Sequence, residues 1–211
     1  MDKPRQKALI LSGTPASGKD TITDLLELVS GGQYCLLKKH KSMRSPQSAL
    51  RVPRKAAYHL VDETTFRDMI CENRFVQYHY RYGQGYGVAR EELEALGQFG
   101  RIPVIHNGLQ ENLPAFLQDG ARIEVFSVLL ISGQSSTRDR ILARNGHDAV
   151  DLERRLCAYG EERKELADHL RAGHPLFHHL AINTGLLKPD FAARMIISAA
   201  GAFWSCGQEA A

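Results

Sequence analysis

The sequence is poor in cysteine, and Cys35, Cys71, Cys157 and Cys206 stand far apart with no C-x-x-C pair. That excludes a disulfide framework and a thiolate zinc site, and it fits reduced, half-buried thiols. An excess of one charge is missing too: Lys and Arg total 27 against 24 Asp and Glu in 211 residues, a net charge of +3. A polyanion-binding surface needs a denser basic cluster, so nucleic acid is not expected as a partner. Long apolar runs are also lacking. After the charged opening Met1–Lys7, the first apolar run ends at Ser12, too short for a signal segment or a membrane span, so a cytoplasmic location without membrane contact is the expectation. Repeats, linkers and low-complexity tracts do not occur. With 43% hydrophobic and 24% charged residues, disorder, collagen and coiled coil are excluded, and the chain reads as one continuous domain. The sequence sets no oligomeric state.

Ala8–Ser12 is a short apolar run ended by glycine, the pattern of a strand buried on both faces. Ile22, Leu25, Leu26 and Val29 follow at helical spacing, and Gly31-Gly32 stops that helix. Tyr34–Leu37 reads as a second strand, and residues 40–57, basic and holding Pro46 and Pro53, read as a loop. A helix is expected from Asp62 to Asn73, burying Phe66, Met69 and Ile70. Phe75–Tyr82 reads as a strand that Gly83, Gly85 and Gly87 interrupt. A short helix over Arg90–Leu96, a strand at Ile102–Ile105 and a central strand at Ile123–Ile131 come next. Arg138–Arg144 and Asp151–Leu170 read as helices, the second burying Leu152, Leu156, Tyr159, Leu166 and Leu170. Leu180–Asn183 is the last strand, and Pro189 opens a final helix docked by Phe203 and Trp204. Strands alternating with helices predict an α/β fold on a mainly parallel sheet.

Chemistry enters at Gly13-Thr14-Pro15-Ala16-Ser17-Gly18-Lys19, which has the spacing G-x-x-x-x-G-K. Glycines let the backbone wrap closely and aim N–H groups inward, the lysine reaches outer phosphates, and the helix that follows favours anions at its start. Strand, loop and helix stand in the required order. Asp20 occupies the place where the motif has the hydroxyl that meets Mg²⁺, with Thr21 beside it, so Thr21, or Asp20 through water, is the expected metal contact. A phosphate loop fixes the donor and leaves the reaction open. The apolar strands end in Ser132 and in His106-Asn107, without the terminal carboxylate of large ATPases. Arg138, Arg140, Arg144, Arg154 and Arg155 lie on two consecutive helical segments, and arginines closing over a transferred phosphoryl group would stabilise its charge. The group His169, His174, His178 and His179 has no carboxylate or cysteine at metal-ligand spacing and reads as a polar loop. His79 and His106 read as structural, and Tyr78, Tyr80 and Tyr82 as packing residues.

These features together resemble the guanylate-kinase-like family of P-loop kinases. Beside the loop at Gly13, the likeness rests on Tyr58-His59-Leu60-Val61 with the helix and Phe75 after it, on Tyr86-Gly87, and on Arg140, Arg144 and Arg155 with an eleven-residue gap between the last two. The resemblance implies a three-layer P-loop fold with a core over about 1–32 and 100–211, an acceptor lobe over about 33–99 and a lid over about 134–156. It implies Tyr58 and Tyr86 at the acceptor, Arg140, Arg144 and Arg155 as lid arginines acting with Lys19, and Asn183 near the donor's base. The whole loop from Gly13 through Thr14, Pro15, Ala16, Ser17, Gly18, Lys19 and Asp20 to Thr21 would hold ATP with Mg²⁺.

At two places where the family grips guanine with carboxylates, the chain has Gln77 and Asn107, which removes much of the basis for guanine preference. The phosphate-gripping arginine falls at Arg44 by loop length, or at Arg51 and Arg54 by pattern. Gly18-Lys19-Asp20, Tyr86-Gly87-Val88, and Asn107-Gly108 with Leu113-Pro114 are more similar to ribose 1,5-bisphosphate phosphokinases. That likeness implies an ATP-dependent kinase whose acceptor atom is a phosphate oxygen on a small phosphorylated sugar. A guanylate-type nucleoside monophosphate kinase and an inert guanylate-kinase-like domain that binds a protein partner are the rival expectations.

Overall fold

The computed structural model describes residues 5–43, 57–81, 83–108, 110–118, 123–145, 149–172 and 178–206. Strand β1 (Gln6–Ser12) feeds helix α1 (Lys19–Val29), followed by β2 (Tyr34–Leu36), β3 (Lys39–Met43) and β4 (Tyr58–Asp62). Helix α2 (Glu63–Cys71), β5 (Phe75–Arg81), β6 (Gln84–Ala89) and α3 (Arg90–Gln98) come next. Strand β7 (Ile102–Asn107) leads through a 3₁₀ turn at Gln110–Asn112 into α4 (Leu113–Gln118) and then β8 (Ile123–Ile131). Helices α5 (Gln134–Asn145) and α6 (Ala149–Arg171), strand β9 (Leu180–Asn183) and helix α7 (Pro189–Cys206) complete the order.

The strands form two sheets. The larger is five-stranded in the order β2-β7-β1-β8-β9, and every pairing in it is parallel. Strand β1 is buried on both faces because its side chains alternate between two cores. Leu9 and Leu11 join α1 and α7 through Ile22, Leu26, Ile196 and Trp204, while Ala8 and Ile10 join Leu93, Leu113 and Phe116 on the other side. Those layers fit an α/β sandwich, as the alternation predicts. Among the described residues no helix is long and apolar enough to cross a membrane.

The second sheet is four-stranded in the order β4-β3-β6-β5. Three expectations change here. Residues 39–43 are strand β3, paired with β4 and β6; residues 44–56 lie outside the described part. Strand β2 belongs to the larger sheet, so the lobe begins at Lys39 instead of residue 33. Gly85 and Gly87 do not interrupt a strand but belong to β6. Their lack of a side chain makes room for aromatic rings of the lobe's own core, where Phe66, Met69, Phe75 and Ala89 pack together. A Cβ on Gly85 would come within 2.4 Å of the Phe66 ring, and one on Gly87 within 2.5 Å of the Phe75 ring. Asp62 caps α2 by accepting a hydrogen bond from the Thr65 N–H at 2.7 Å, which sets the helix on this face. The opposite face of the sheet is left for polar side chains. In α6, Tyr159 is buried as expected, whereas Leu170 is exposed.

The ring-over-glycine packing has a measurable consequence. Gly87→Ala should lose about 1–3 kcal/mol of stability in urea unfolding through overpacking, and Phe75→Leu added to it should recover part of that loss. A Gly87→Ala protein as stable as the parent would contradict this account of the lobe core.

Candidate active site

Strand β1 delivers the chain at Ser12 to a loop that ends where α1 begins at Lys19. Gly13 has φ +149°, and a Cβ there would lie 2.6 Å from both the Leu130 carbonyl and the Ser17 hydroxyl. Gly18 adopts a left-handed conformation (φ +101°) as the N-cap of α1, a geometry that L side chains resist. Between them the backbone curls so that Lys19 Nζ donates to the Gly13 carbonyl and, at 2.9 Å, to that of Thr14. The lysine therefore lies inside the loop's curve, at the positive end of the α1 dipole.

Two cavities flank this loop. The larger, about 320 Å³, runs from Lys19 and Asp20 to the polar face of the second sheet, where Tyr58, Tyr86 and Arg81 line it. Lys39 projects into it from β3, and Asn107 and Gly108 close it at the end of β7. The smaller, about 200 Å³, lies behind the loop, with Gly18, Thr21 and Arg140 on one side and Leu187, Pro189 and Ala192 on the other. A flat apolar ring flanked by polar edges suits the second; a phosphate-bearing molecule suits the first.

The register of the lobe explains the composition of its inner face. Lys41 pairs with Tyr86 across β3–β6, and Tyr86 pairs with His79 across β6–β5, so these three stand in one row. Lys39 lies two residues before Lys41 and therefore on the same face. Lys41 is 8% exposed and sits over the rings of Tyr58 and Tyr86, 5.4 and 5.0 Å from their centroids. His79 stacks on Tyr86, with centroids 5.5 Å apart.

Gln77 Nε2 and Asn112 Nδ2 both lie within hydrogen-bond distance of His79 Nδ1, at 3.1 and 3.2 Å. Burial, with help from Lys39 and Arg81, pushes His79 down to about 4, so the ring stays neutral. Gln77 itself is 5% exposed and is occupied in supporting His79 from below.

Electrostatics in the cavity is finely divided. Burial, and secondarily the charge of Lys19, pushes Lys39 down to about 8. Glu162, reaching in from α6, is pushed up to about 7 by burial, against the pull of Lys19 and Arg81. Arg81 is held by Glu165, each of two guanidinium nitrogens donating at 3.2 Å, which joins β5 to α6. His106 Nε2 lies 2.7 Å from the Thr23 hydroxyl, and its Nδ1 lies 3.8 Å from Asp20 Oδ1.

The residues singled out in the sequence are distributed as follows. Lys19, Asp20, Tyr58, Tyr86 and Asn107 come together in the larger cavity. Thr21 faces the smaller one, away from Asp20. Arg140 donates to the Ala16 carbonyl at 3.2 Å and the Thr184 carbonyl at 2.8 Å, tying α5 to the loop. Asn183 Oδ1 accepts from the Gly185 N–H at 2.9 Å, closing its own turn. Its neighbour Thr184 holds the loop instead, donating to the Ser17 carbonyl at 2.8 Å. Arg44, Arg51 and Arg54 lie outside the described residues, as do the side chains of Arg144 and Arg155.

Lys39, Arg81, Glu162 and Thr184 were not singled out, and His79 and His106, read as structural, stand on the cavity wall. A signal for Glu162 did exist. It falls between Tyr159 and Leu166 at helical spacing, on the side of the helix that Tyr159 buries.

The raised Glu162 fixes the sign of a pH effect. The native state keeps this proton between about 4.5 and about 7 while the unfolded chain loses it, so Glu162's contribution to stability is best at low pH and falls as pH rises through that window. Glu162→Gln should therefore gain on the parent from pH 4 to pH 8, by about 1–3 kcal/mol in denaturant unfolding. His79, lowered from 6.5 to about 4, contributes the opposite slope in both proteins, so the difference between them is the readout. A difference that stays flat with pH would contradict the placement of Glu162.

Comparison with known proteins bears on this site. No protein-family profile matches the chain. The guanylate kinase of Wolinella succinogenes is 24% identical over 179 residues, covering 80% of this chain and 76% of that protein. The guanylate kinase of Nitrobacter winogradskyi is 27% identical over 153 residues, covering 71% and 65%. In structure, the guanylate kinase from Anaplasma phagocytophilum superposes with a TM-score of 0.57 at 15% identity over 95% of this chain and 87% of that one. Phosphate loop, fold and relatives point the same way: the chain is similar in sequence to guanylate kinases and shares the fold of a guanylate kinase, which is consistent with a P-loop phosphotransferase.

Proposed function

We propose that the protein is an ATP-dependent kinase that transfers the γ-phosphoryl group to a phosphate oxygen of a small phosphorylated acceptor, most like ribose 1,5-bisphosphate. The observation that carries this reading is the inner face of the second sheet, where Lys39, Lys41 and Arg81 stand with Tyr58 and Tyr86 opposite Lys19. Such a face offers an anion several cations and two phenolic hydroxyls. In the reaction an acceptor phosphate oxygen bonds to the γ-phosphorus as the bond to the leaving ADP oxygen breaks. No base is needed, because the attacking oxygen is already ionised. Lys19 neutralises the donor's outer phosphates, and Arg140 braces the loop from behind. The lid arginines Arg144 and Arg155 are proposed to close over the transferred group. Catalysis is then positioning and charge stabilisation.

The nucleotide's base is assigned to the smaller cavity, between Leu187, Pro189 and Arg140, with Asn183 holding the shape of the adjoining turn. Asp20 is assigned to Mg²⁺, since a carboxylate beside Lys19 in the larger cavity is a hard oxygen donor of the kind that ion takes. Bound Mg²⁺ would supply charge neutralisation between donor phosphates. Thr21, on the other side, is not needed for that contact.

A guanylate-type acceptor is the second reading. It is favoured by the two relatives named guanylate kinase and by the presence of a cavity carboxylate, Glu162, from a different element than Gln77 and Asn107.

Lys19→Met should abolish ATP-dependent turnover, and full activity in that variant would reject the kinase assignment. Lys39→Met should raise the acceptor KM about tenfold or more, the scale of one lost charge-assisted hydrogen bond, with the ATP KM little changed. Equal effects on both substrates would move Lys39 out of the acceptor site. Asp20→Asn should raise the Mg²⁺ concentration needed for half-maximal rate, whereas Thr21→Ala should not; the reverse order would exchange the two assignments.

A further inference from the structure

Glu162 has no task in the reaction just described. Transfer to an ionised phosphate oxygen removes no proton, and a carboxylate repels phosphate. Yet its side chain is only 10% exposed and stands among the residues that line the acceptor cavity. Burying an ionisable group there is costly unless something is gained by it. With Arg81 it makes only a long ion pair. That guanidinium is gripped by Glu165 at 3.2 Å through two nitrogens, while it stays 3.8 Å from Glu162, beyond hydrogen-bond reach.

The surroundings show what the carboxyl faces. Glu162 and Gly108 line both the 320 Å³ acceptor cavity and a neighbouring one of about 190 Å³. The neighbour is walled by Gln110, Glu111 and Glu165, with no lysine or arginine among its described lining residues. Leu166 and His169 complete its lining, and its three carboxylates, Glu111, Glu162 and Glu165, make it richer in hydrogen-bond acceptors than in donors. The acceptor region therefore has a cationic side at Lys39, Arg81 and Lys19, and a side rich in acceptors that starts at Glu162.

We propose that Glu162 is a specificity-determining residue: its carboxylate accepts a hydrogen bond from a hydroxyl or N–H group that the acceptor carries beside its phosphate. This rests on the phosphorylated-acceptor reading above and narrows it. The acceptor is a phosphorylated molecule with neutral proton donors, a sugar phosphate or a nucleotide, and a bare phosphate or pyrophosphate is discriminated against. Sugar hydroxyls and base N–H groups share this donor chemistry, and the probes below separate them.

The test exploits a difference in sign. Ribose 5-phosphate, GMP and inorganic phosphate would each be titrated calorimetrically into the parent protein, Glu162→Ala and Glu162→Gln at pH 8, with thermal unfolding confirming that the variants are folded. Glu162→Ala should bind ribose 5-phosphate or GMP about tenfold or more weakly, as expected for a lost hydrogen bond to a charged group, while inorganic phosphate binds equally well or better. Glu162→Gln should fall between, because its amide oxygen still accepts. Weakening confined to ribose 5-phosphate identifies a sugar hydroxyl as the donor read, and weakening confined to GMP identifies the base.

If Glu162→Ala tightens all three ligands, the residue is only a repelling charge. If all three weaken together, it only positions Arg81. If organic phosphates bind it as they bind the parent, it reads nothing. Each of these overturns the proposal while leaving the phosphorylated-acceptor reading intact. A parent protein that binds neither organic phosphate overturns that reading, and this inference with it.

Discussion

The curl of backbone between Gly13 and Lys19 is the constraint on which the rest of the molecule depends. It is sterically closed from below: the Leu130 carbonyl of β8 and the Ser17 hydroxyl occupy the space a side chain at position 13 would need. The loop therefore cannot be separated from the parallel pairing of β1 with β8 that brings Leu130 there. The Gly13 N–H donates to the Asn107 carbonyl at 3.2 Å, which sets the end of β7, and with it Asn107 and Gly108, at the rim of the same cavity. Thr184 and Arg140 fasten the loop from the β9 and α5 sides. Both cavities are consequences of this one turn, which is where a phosphoryl donor and its acceptor would have to meet.

Charge is the second organising quantity. Lys19, Lys39 and Arg81 converge on a partly enclosed volume with Lys41 on the same sheet face, and mutual repulsion in low dielectric is costly. The structure relieves it in three ways. Glu165 neutralises Arg81, the rings of Tyr58 and Tyr86 receive Lys41, and Lys39 is held with a weakened affinity for its proton. What remains is a positive field that an incoming phosphate would complete. Glu162 sits at the edge of that field with its own proton loosely poised near neutrality. Such a pairing of shifted groups in one cleft makes it a candidate functional site.

Much of this could be read from residue order, and the failures have physical causes. Strand β1, the loop and α1 were legible because two strict local rules coincide there, an apolar run and a glycine spacing. Gly85 and Gly87 were misread as breaks because the reason for them, the Phe66 and Phe75 rings lying across β6, is tertiary. Lys39 was hidden in a basic run followed by prolines, a composition that resembles loop. Its alternation with Lys41 on one strand face was the faint signal against that reading. Glu162 stands one helical turn from the buried Tyr159, but its proximity to Lys19 depends on how α6 returns over the lobe, which no local pattern encodes. Gln77 and Asn107 carry no carboxylate, yet the cavity contains one from a different element, Glu162 of α6.

The central claim is that the atom attacking the γ-phosphorus is a phosphate oxygen, held by the cationic face of the second sheet. Phosphorus NMR of the product formed from ATP and a phosphorylated acceptor tests it most directly. A new phosphoanhydride appears as two phosphorus resonances split by one another, and that is the result predicted here. A new resonance coupled only to carbon-bound protons would mean that a hydroxyl is the acceptor atom. Glu162 would then have to be considered as the base that takes its proton, and the assignment of Lys39, Lys41 and Arg81 to an attacking phosphate would be wrong.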